Sequence, residues 1–274
     1  MENIGLERII KMLEIAHTDD RVFPATELYS EGWMLRILLS VQWEGTECLP
    51  FPVWPRSRWF SEARIGSPFL ARNREDSKPE GFTHVDGVIG HFGIRPGTKT
   101  GLILTADAKQ LVVMEAKMSS LLSPNITHAE YHDQAARIVA CIAWTISQSN
   151  MSVDDLESLG FYVFAPQKRI GKGVFEAQID KTSIAENVER RINDYSGHDE
   201  EKRNELQTWY SGFFKRTLEH VDLRPVSWED MIAKIPDPSV HNFYERCLEF
   251  NERNCSQPKK RRRNGGGRQS ERHA

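Results

Sequence analysis

The hydrophobic pattern predicts an α/β domain, a mixed β-sheet core flanked by helices. Three observations carry that expectation. Strand-like apolar runs recur at 83–90, "THVDGVIG", within 102–118, "LILTADAKQLVVMEAKM", and at 159–166, "LGFYVFAP". A helical period over 128–147, "HAEYHDQAARIVACIAWTIS", separates the second from the third, with Ala135, Ile138, Val139, Ile142 and Ile146 three or four apart. Further helical periods precede the first strand and follow the last.

Taken in order, 3–16 reads as an amphipathic helix, since Ile4, Leu6, Ile9, Ile10, Leu13 and Ile15 fall near helical spacing. After Pro24 a second helix spans 26–43, with Leu28, Trp33, Met34, Leu35, Ile37, Leu38 and Leu39 as its apolar face. Thr26 is its expected N-cap, and Glu27 and Glu31 lie one turn apart on one side. Residues 49–80 carry Pro50, Pro52, Pro55, Pro68 and Pro79, which predicts an irregular insertion at about 45–80. There Arg56, Arg58, Arg64, Arg72 and Arg74 interleave with Trp54, Trp59 and Phe60. Such a mixture can grip phosphates or, more simply, cap the domain. Beyond "LGFYVFAP", helices are expected at 181–195 and 202–221, the latter weakened by Gly212. "VDLRPVSWEDMI" closes the sheet and enters a helix, and a last helix covers 241–254. Residues 1–258 therefore read as a single domain with helical C-terminal additions.

The chain has 274 residues and a net charge of −3 that is unevenly spread. The segment 259–274 holds seven of the 36 Lys/Arg and one of the 39 Asp/Glu. The remainder has 29 basic and 38 acidic residues, a net charge of −9. An acidic body argues against nucleic-acid binding over its whole surface and leaves room for a local basic cleft. The tail is expected to be disordered. Cys48, Cys141, Cys247 and Cys255 are far apart with no CxxC pair, which suits free thiols in a reducing cytoplasm. No apolar run is long enough for a membrane helix, and the first residues lack a signal peptide's apolar core.

Chemistry concentrates at "LVVMEAKM", residues 111–118, where two charges interrupt an otherwise buried strand. Alternation puts Glu115 and Lys117 on one face at the strand's end, and His84, Asp86 and Val88 on one face of the strand before it. If those strands pair, Asp86 and Glu115 converge with Lys117 beside them. Two carboxylates make an oxygen site for a hard cation, Mg²⁺ or Mn²⁺, which offsets their repulsion. An adjacent lysine can hold the attacking water or face a phosphate as a point charge. Together these predict hydrolysis of a phosphodiester.

"THVDGVIG" followed by "VVMEAKM", with Glu115 placed 29 residues after Asp86, resembles the PD-(D/E)XK nuclease superfamily. The matching residues are Asp86 and Glu115-Ala116-Lys117, in elements of the right order; Val85 stands where the family motif has proline. The resemblance covers roughly residues 25–165 and implies a restriction-endonuclease-like fold. It implies Mg²⁺ or Mn²⁺ held by Asp86 and Glu115, with Glu31, or Glu27 in its stead, as a further acid from the first core helix. Lys117 would activate water, and Gln134 would orient water or substrate. It also implies a nucleic-acid substrate, DNA first, and allows a homodimer. The alternative function is a catalytically inactive nucleic-acid-binding or adaptor protein of the same fold.

Other readings are weaker. His84 suits a hydrogen-bonded structural role, and Tyr131 packing. His128 and His132 are four apart, but Glu130 stands one position too late for a zinc-protease motif. "GIRPGTKTG" lacks the spacing of a nucleotide phosphate loop.

Overall fold

The structure is a computed structural model that describes residues 4–18, 25–71, 76, 80–99, 101–124 and 129–255. Arg72, Arg74, Pro79, His128 and the tail 259–274 lie outside the described residues.

Five strands make one mixed sheet: β1 (Arg58–Ile65), β2 (Thr83–Gly90), β5 (Gln110–Ala116), β6 (Ser158–Ala165) and β7 (Asp222–Ser227). They lie side by side in that order. β1, β2 and β5 pair antiparallel, whereas β5, β6 and β7 pair parallel. β3 (Phe92–Ile94) and β4 (Leu102–Leu104) form a separate small hairpin between β2 and β5. Every residue of β5 is buried, as the unbroken apolar run implies for a central strand.

One face of the sheet packs on α4 (Gln134–Gln148) and α6 (Lys181–Asn193), with Leu111, Val113, Phe161, Ile138, Ile142 and Ile184 in a shared core. The opposite face packs on α3 (Glu31–Trp43), α9 (Trp228–Ile232) and α10 (Pro238–Cys255) through Met34, Leu35, Val112, Met114, Phe164 and Trp228. Each such fully buried side chain contributes about 1.5–3 kcal/mol. Gly90 permits the tight passage out of β2: its φ is +152°, and a Cβ there would stand 2.1 Å from the Gln110 carbonyl oxygen. Cys48, Cys141 and Cys247 are free and buried, and burial lifts the Cys141 thiol to about 12. Among the described residues no helix is long and apolar enough to cross a membrane.

Several expectations need correction. The helix over 26–43 is broken into α2 (Ala25–Leu28) and α3, with Ser30 rather than Thr26 at the N-cap of the long piece. Glu27 and Glu31 therefore sit on different helices. The stretch at about 45–80 is not irregular throughout, because β1 occupies the proline-free window between Pro55 and Pro68. The helix expected from His128 starts only at Gln134, where Asp133 accepts the Ala136 N–H at 2.9 Å and caps it. Asp and Asn caps of this kind override a periodic pattern that runs on upstream. The helix over 202–221 is present as α7 (Glu200–Trp209) and α8 (Lys215–His220), joined by a π-helical turn at Tyr210–Phe214 that contains Gly212. α1 (Ile4–Thr18) is helical, yet its Ile9, Ile10, Met12 and Ile15 are exposed.

His132 gives the fold a pH dependence. It is fully buried, meets Phe69 edge-on, and neither ring nitrogen has a partner among the described residues. Burial, then Arg191 and Arg137, push its pKa down from 6.5 to about 3. The unfolded chain thus binds a proton that the folded chain refuses between those values. Stability from this residue is full above pH 6.5 and lost as pH falls below it, with a limiting slope of about 1.4 kcal/mol per pH unit. Urea denaturation should show about 2 kcal/mol lost at pH 5 from this source. His132→Leu should remove that part of the loss; an unchanged pH profile would contradict the assignment.

Candidate active site at the end of the central strand

The β2–β5 ladder pairs Gly87 with Met114, so the next step sets Asp86 opposite Glu115 at the end of the sheet where β5 finishes. Asp86 is half-buried, and its Oδ2 accepts the Ala116 N–H at 2.7 Å. The Asp86-Gly87 pair is therefore strand and not a turn. Gly87 has no side chain for a packing reason, since a Cβ would sit 3.0 Å from Leu35 of α3.

Glu115 and Lys117 form a buried ion pair, Nζ to Oε1 at 2.6 Å, with side-chain exposures of 4% and 11%. Backbone contacts fix the lysine's position: its N–H donates to the Phe164 carbonyl at 2.8 Å, and its own carbonyl accepts from Trp228 Nε1 at 3.1 Å. From the first turn of α4, Gln134 Nε2 donates to the same Oε1 of Glu115. Gln134 is itself oriented by Ser123, whose N–H donates to Gln134 Oε1 at 3.0 Å. Glu115 Oε2 is buried and has no hydrogen-bond partner among the described residues. An orphaned carboxylate oxygen costs stability unless something outside the chain meets it.

Electrostatics tie the acids together. Burial, then the Asp86 charge, raise the Glu115 carboxyl to about 7, while Lys117 and Gln134 pull the other way. Glu31, in the first turn of α3, is raised chiefly by its burial; Lys117 lowers it and Asp86 raises it. Glu31 thus stands in the field of the same cluster. Glu27, on α2, is exposed.

Sequence alternation does not hold through Asp86. Val85 and Val88, three apart, enter the same core as α4, so His84, Asp86 and Val88 do not share one regular face. The irregularity extends across the ladder. Glu62, opposite Asp86, has φ +54°, and the ladder skips from Ser61–Gly87 to Ala63–Val85. A left-handed non-glycine residue costs on the order of 1 kcal/mol and persists only where its surroundings hold it. Arg36 of α3 does so, donating to Ser61 Oγ at 3.1 Å and pairing with Glu62 at 3.2 Å. Neither Glu62 nor Trp228 stood out in the sequence. Backbone strain leaves no compositional mark, and the tryptophan's role depends on a strand 111 residues away.

His84 and Tyr131 both have partners within the chain. His84 Nε2 accepts from Arg64 Nε at 3.0 Å. Tyr131 bonds Asp194 and lies under the Arg190 guanidinium at 3.8 Å. His132 lies outside any helix, and among the described residues no three His, Cys, Asp or Glu side chains are gathered as a metal cage. Two carboxylates, one with a bare buried oxygen, still fit a hard cation of the Mg²⁺ type. Such ions commonly use one or two protein carboxylates and complete their shell with water and substrate phosphate. Compared with known proteins, the chain matches no family model, no curated protein and no solved structure.

Proposed function

We propose that the protein is a divalent-metal-dependent nuclease of the restriction-endonuclease-like class, acting on phosphodiester bonds of nucleic acid. The observation that carries the reading is the meeting of Asp86, Glu115, Lys117 and Gln134 at one strand end, around a buried carboxylate oxygen with no partner among the described residues. The element order supports it: a helix, three antiparallel strands, a helix, then a parallel strand.

Asp86 and Glu115 would hold Mg²⁺ or Mn²⁺, with Glu31 in the field of Asp86 and Lys117. When bound, such an ion supplies Lewis-acid stabilisation of a phosphoryl oxygen. Lys117 carries a cation fixed from both sides of its backbone, so it can meet the negative charge that develops on phosphate without reorganising. Gln134 keeps Glu115 oriented and retains one amide hydrogen for water or substrate. An inactive nucleic-acid-binding protein of the same fold is the second reading, favoured by the absence of a three-acid cluster among the described residues.

Purified protein should degrade plasmid, linear or single-stranded nucleic acid with Mg²⁺ or Mn²⁺ and stop when EDTA is added. Metal-independent binding without product would favour the second reading. Ion binding should also show in stability. At a hundredfold excess over Kd, Mn²⁺ adds about 2.7 kcal/mol, or roughly 5–10 °C in Tm. Asp86→Asn should lose most of that shift, and an equal shift in both proteins would place the ion elsewhere.

A further inference from the structure

A second site lies at the same end of the sheet. The turn of the β3–β4 hairpin meets the end of the β1–β2 ladder around a cavity of about 230 Å³ lined by Arg64, Phe82, Gly97, Thr98, Lys99 and Gly101. No acid lines it. The body carries nine more acidic than basic residues, and most described arginines meet carboxylates: Arg36 with Glu62, Arg56 with Asp107, Arg216 with Asp154, Arg224 with Asp222. Arg64, Arg95 and Lys99 form no ion pair with described residues. Cations left without acids around a concave surface mark a place for an outside anion.

The site is prearranged. Arg64 spends only its Nε, on His84, which leaves both terminal amino groups of its planar fork for a bidentate oxyanion contact. The Arg95 guanidinium lies 5.5 Å from the centre of the Phe82 ring, and Phe82 is 37% exposed. The turn that carries Arg95 and Lys99 is tied at several points. Thr98 N–H donates to the Arg95 carbonyl at 3.1 Å, Arg95 N–H to the Gly101 carbonyl at 2.7 Å, and Gly101 N–H to Thr98 Oγ1 at 3.1 Å. Gly97, at φ +77°, allows that turn.

Its position points to one ligand. Arg64 pairs with His84 across the ladder, and His84 is two residues before Asp86 on β2. At the rise of an extended chain that is roughly 6–7 Å along the strand, the scale on which a polyphosphate strand repeats its charge. We propose that this cavity is a subsite for a backbone phosphate of nucleic acid, adjacent to and distinct from the Asp86–Glu115–Lys117 centre. The proposal rests on the nucleic-acid reading above, but not on hydrolysis.

Fluorescence anisotropy of labelled duplex and single-stranded DNA of about 20 nucleotides, in EDTA over a salt series, tests it. Arg64→Gln/Arg95→Gln should bind about tenfold more weakly, with the slope of log affinity against log salt reduced by about 1. Arg216→Gln/Arg224→Gln loses the same charge from acid-paired positions and should bind like wild type. Thermal unfolding of all three proteins shows that the comparison is made on folded chains, and Lys99→Gln gives a single exposed change in the same direction. Equal loss in both double variants would mean only general charge attraction and would overturn the subsite. So would no loss in either, or wild type that binds neither strand form. Arg64/Arg95-dependent binding without any metal-dependent cleavage would keep the subsite and remove the hydrolytic function. Cleavage with binding indifferent to these arginines would do the reverse.

Discussion

Lys117→Ala should lower phosphodiester cleavage by about 10²–10³-fold or more while the protein still folds, because it removes a prearranged cation from the reacting phosphate. Folding is the less obvious half. Breaking a buried ion pair commonly costs about 3–5 kcal/mol, since the surviving charge has no compensation. Here the survivor, Glu115, already has its carboxyl raised by burial and by Asp86. Without Lys117 it takes up a proton rather than remain a bare anion. A carboxyl raised above its unfolded value binds an extra proton in the folded state, so the variant is steadiest at mildly acidic pH. Its stability falls as pH rises through the folded value. Denaturation at pH 6 and pH 8 alongside a cleavage assay checks both halves. Undiminished, EDTA-sensitive cutting by the variant would remove Lys117 from the chemistry.

The largest stability effect is expected away from that site. Glu80 is a buried carboxylate that accepts from Arg191 Nε at 3.2 Å and Ser67 Oγ at 2.9 Å, with Arg137 Nε at 3.5 Å. It thereby joins the approach to β2, helix α4 and helix α6. Arg191 is fully buried, and a second carboxylate, Asp194, lies farther off, at 3.6 Å. Glu80→Ala leaves two guanidinium groups facing one another without their shared acid. The expected loss is about 3–5 kcal/mol, roughly 10 °C in Tm for a domain of this size. A loss under about 1 kcal/mol by urea titration would show that the other neighbours of Arg191, among them Phe69 and Tyr195 at 4.9 and 5.2 Å, hold its charge without Glu80.

These two predictions differ in how far sequence foresees them. The Glu115–Lys117 pair was legible because strand alternation and a two-residue spacing are local rules; Asp86 joins it through the β2–β5 register, since alternation fails at that residue. Glu31 was legible as a candidate, but its separation from Glu27 depends on the helix break at Tyr29–Ser30, which an apolar period running through both pieces conceals. β1 was hidden by prolines on either side, although the residues between them are free to extend. The Glu80–Arg191 pair spans 111 residues and had no sequence signal. The strained backbone of Glu62 was equally invisible, since left-handed geometry there is held by Arg36 from another element.

The central claim is that Asp86 and Glu115 share a divalent cation. Crystals grown with MnCl₂ and measured at the manganese absorption edge test it directly. An anomalous peak between the Asp86 carboxylate and Glu115 Oε2, absent from Glu115→Gln crystals, is the predicted result. Manganese bound only elsewhere on the chain, or a peak that survives Glu115→Gln, would contradict it.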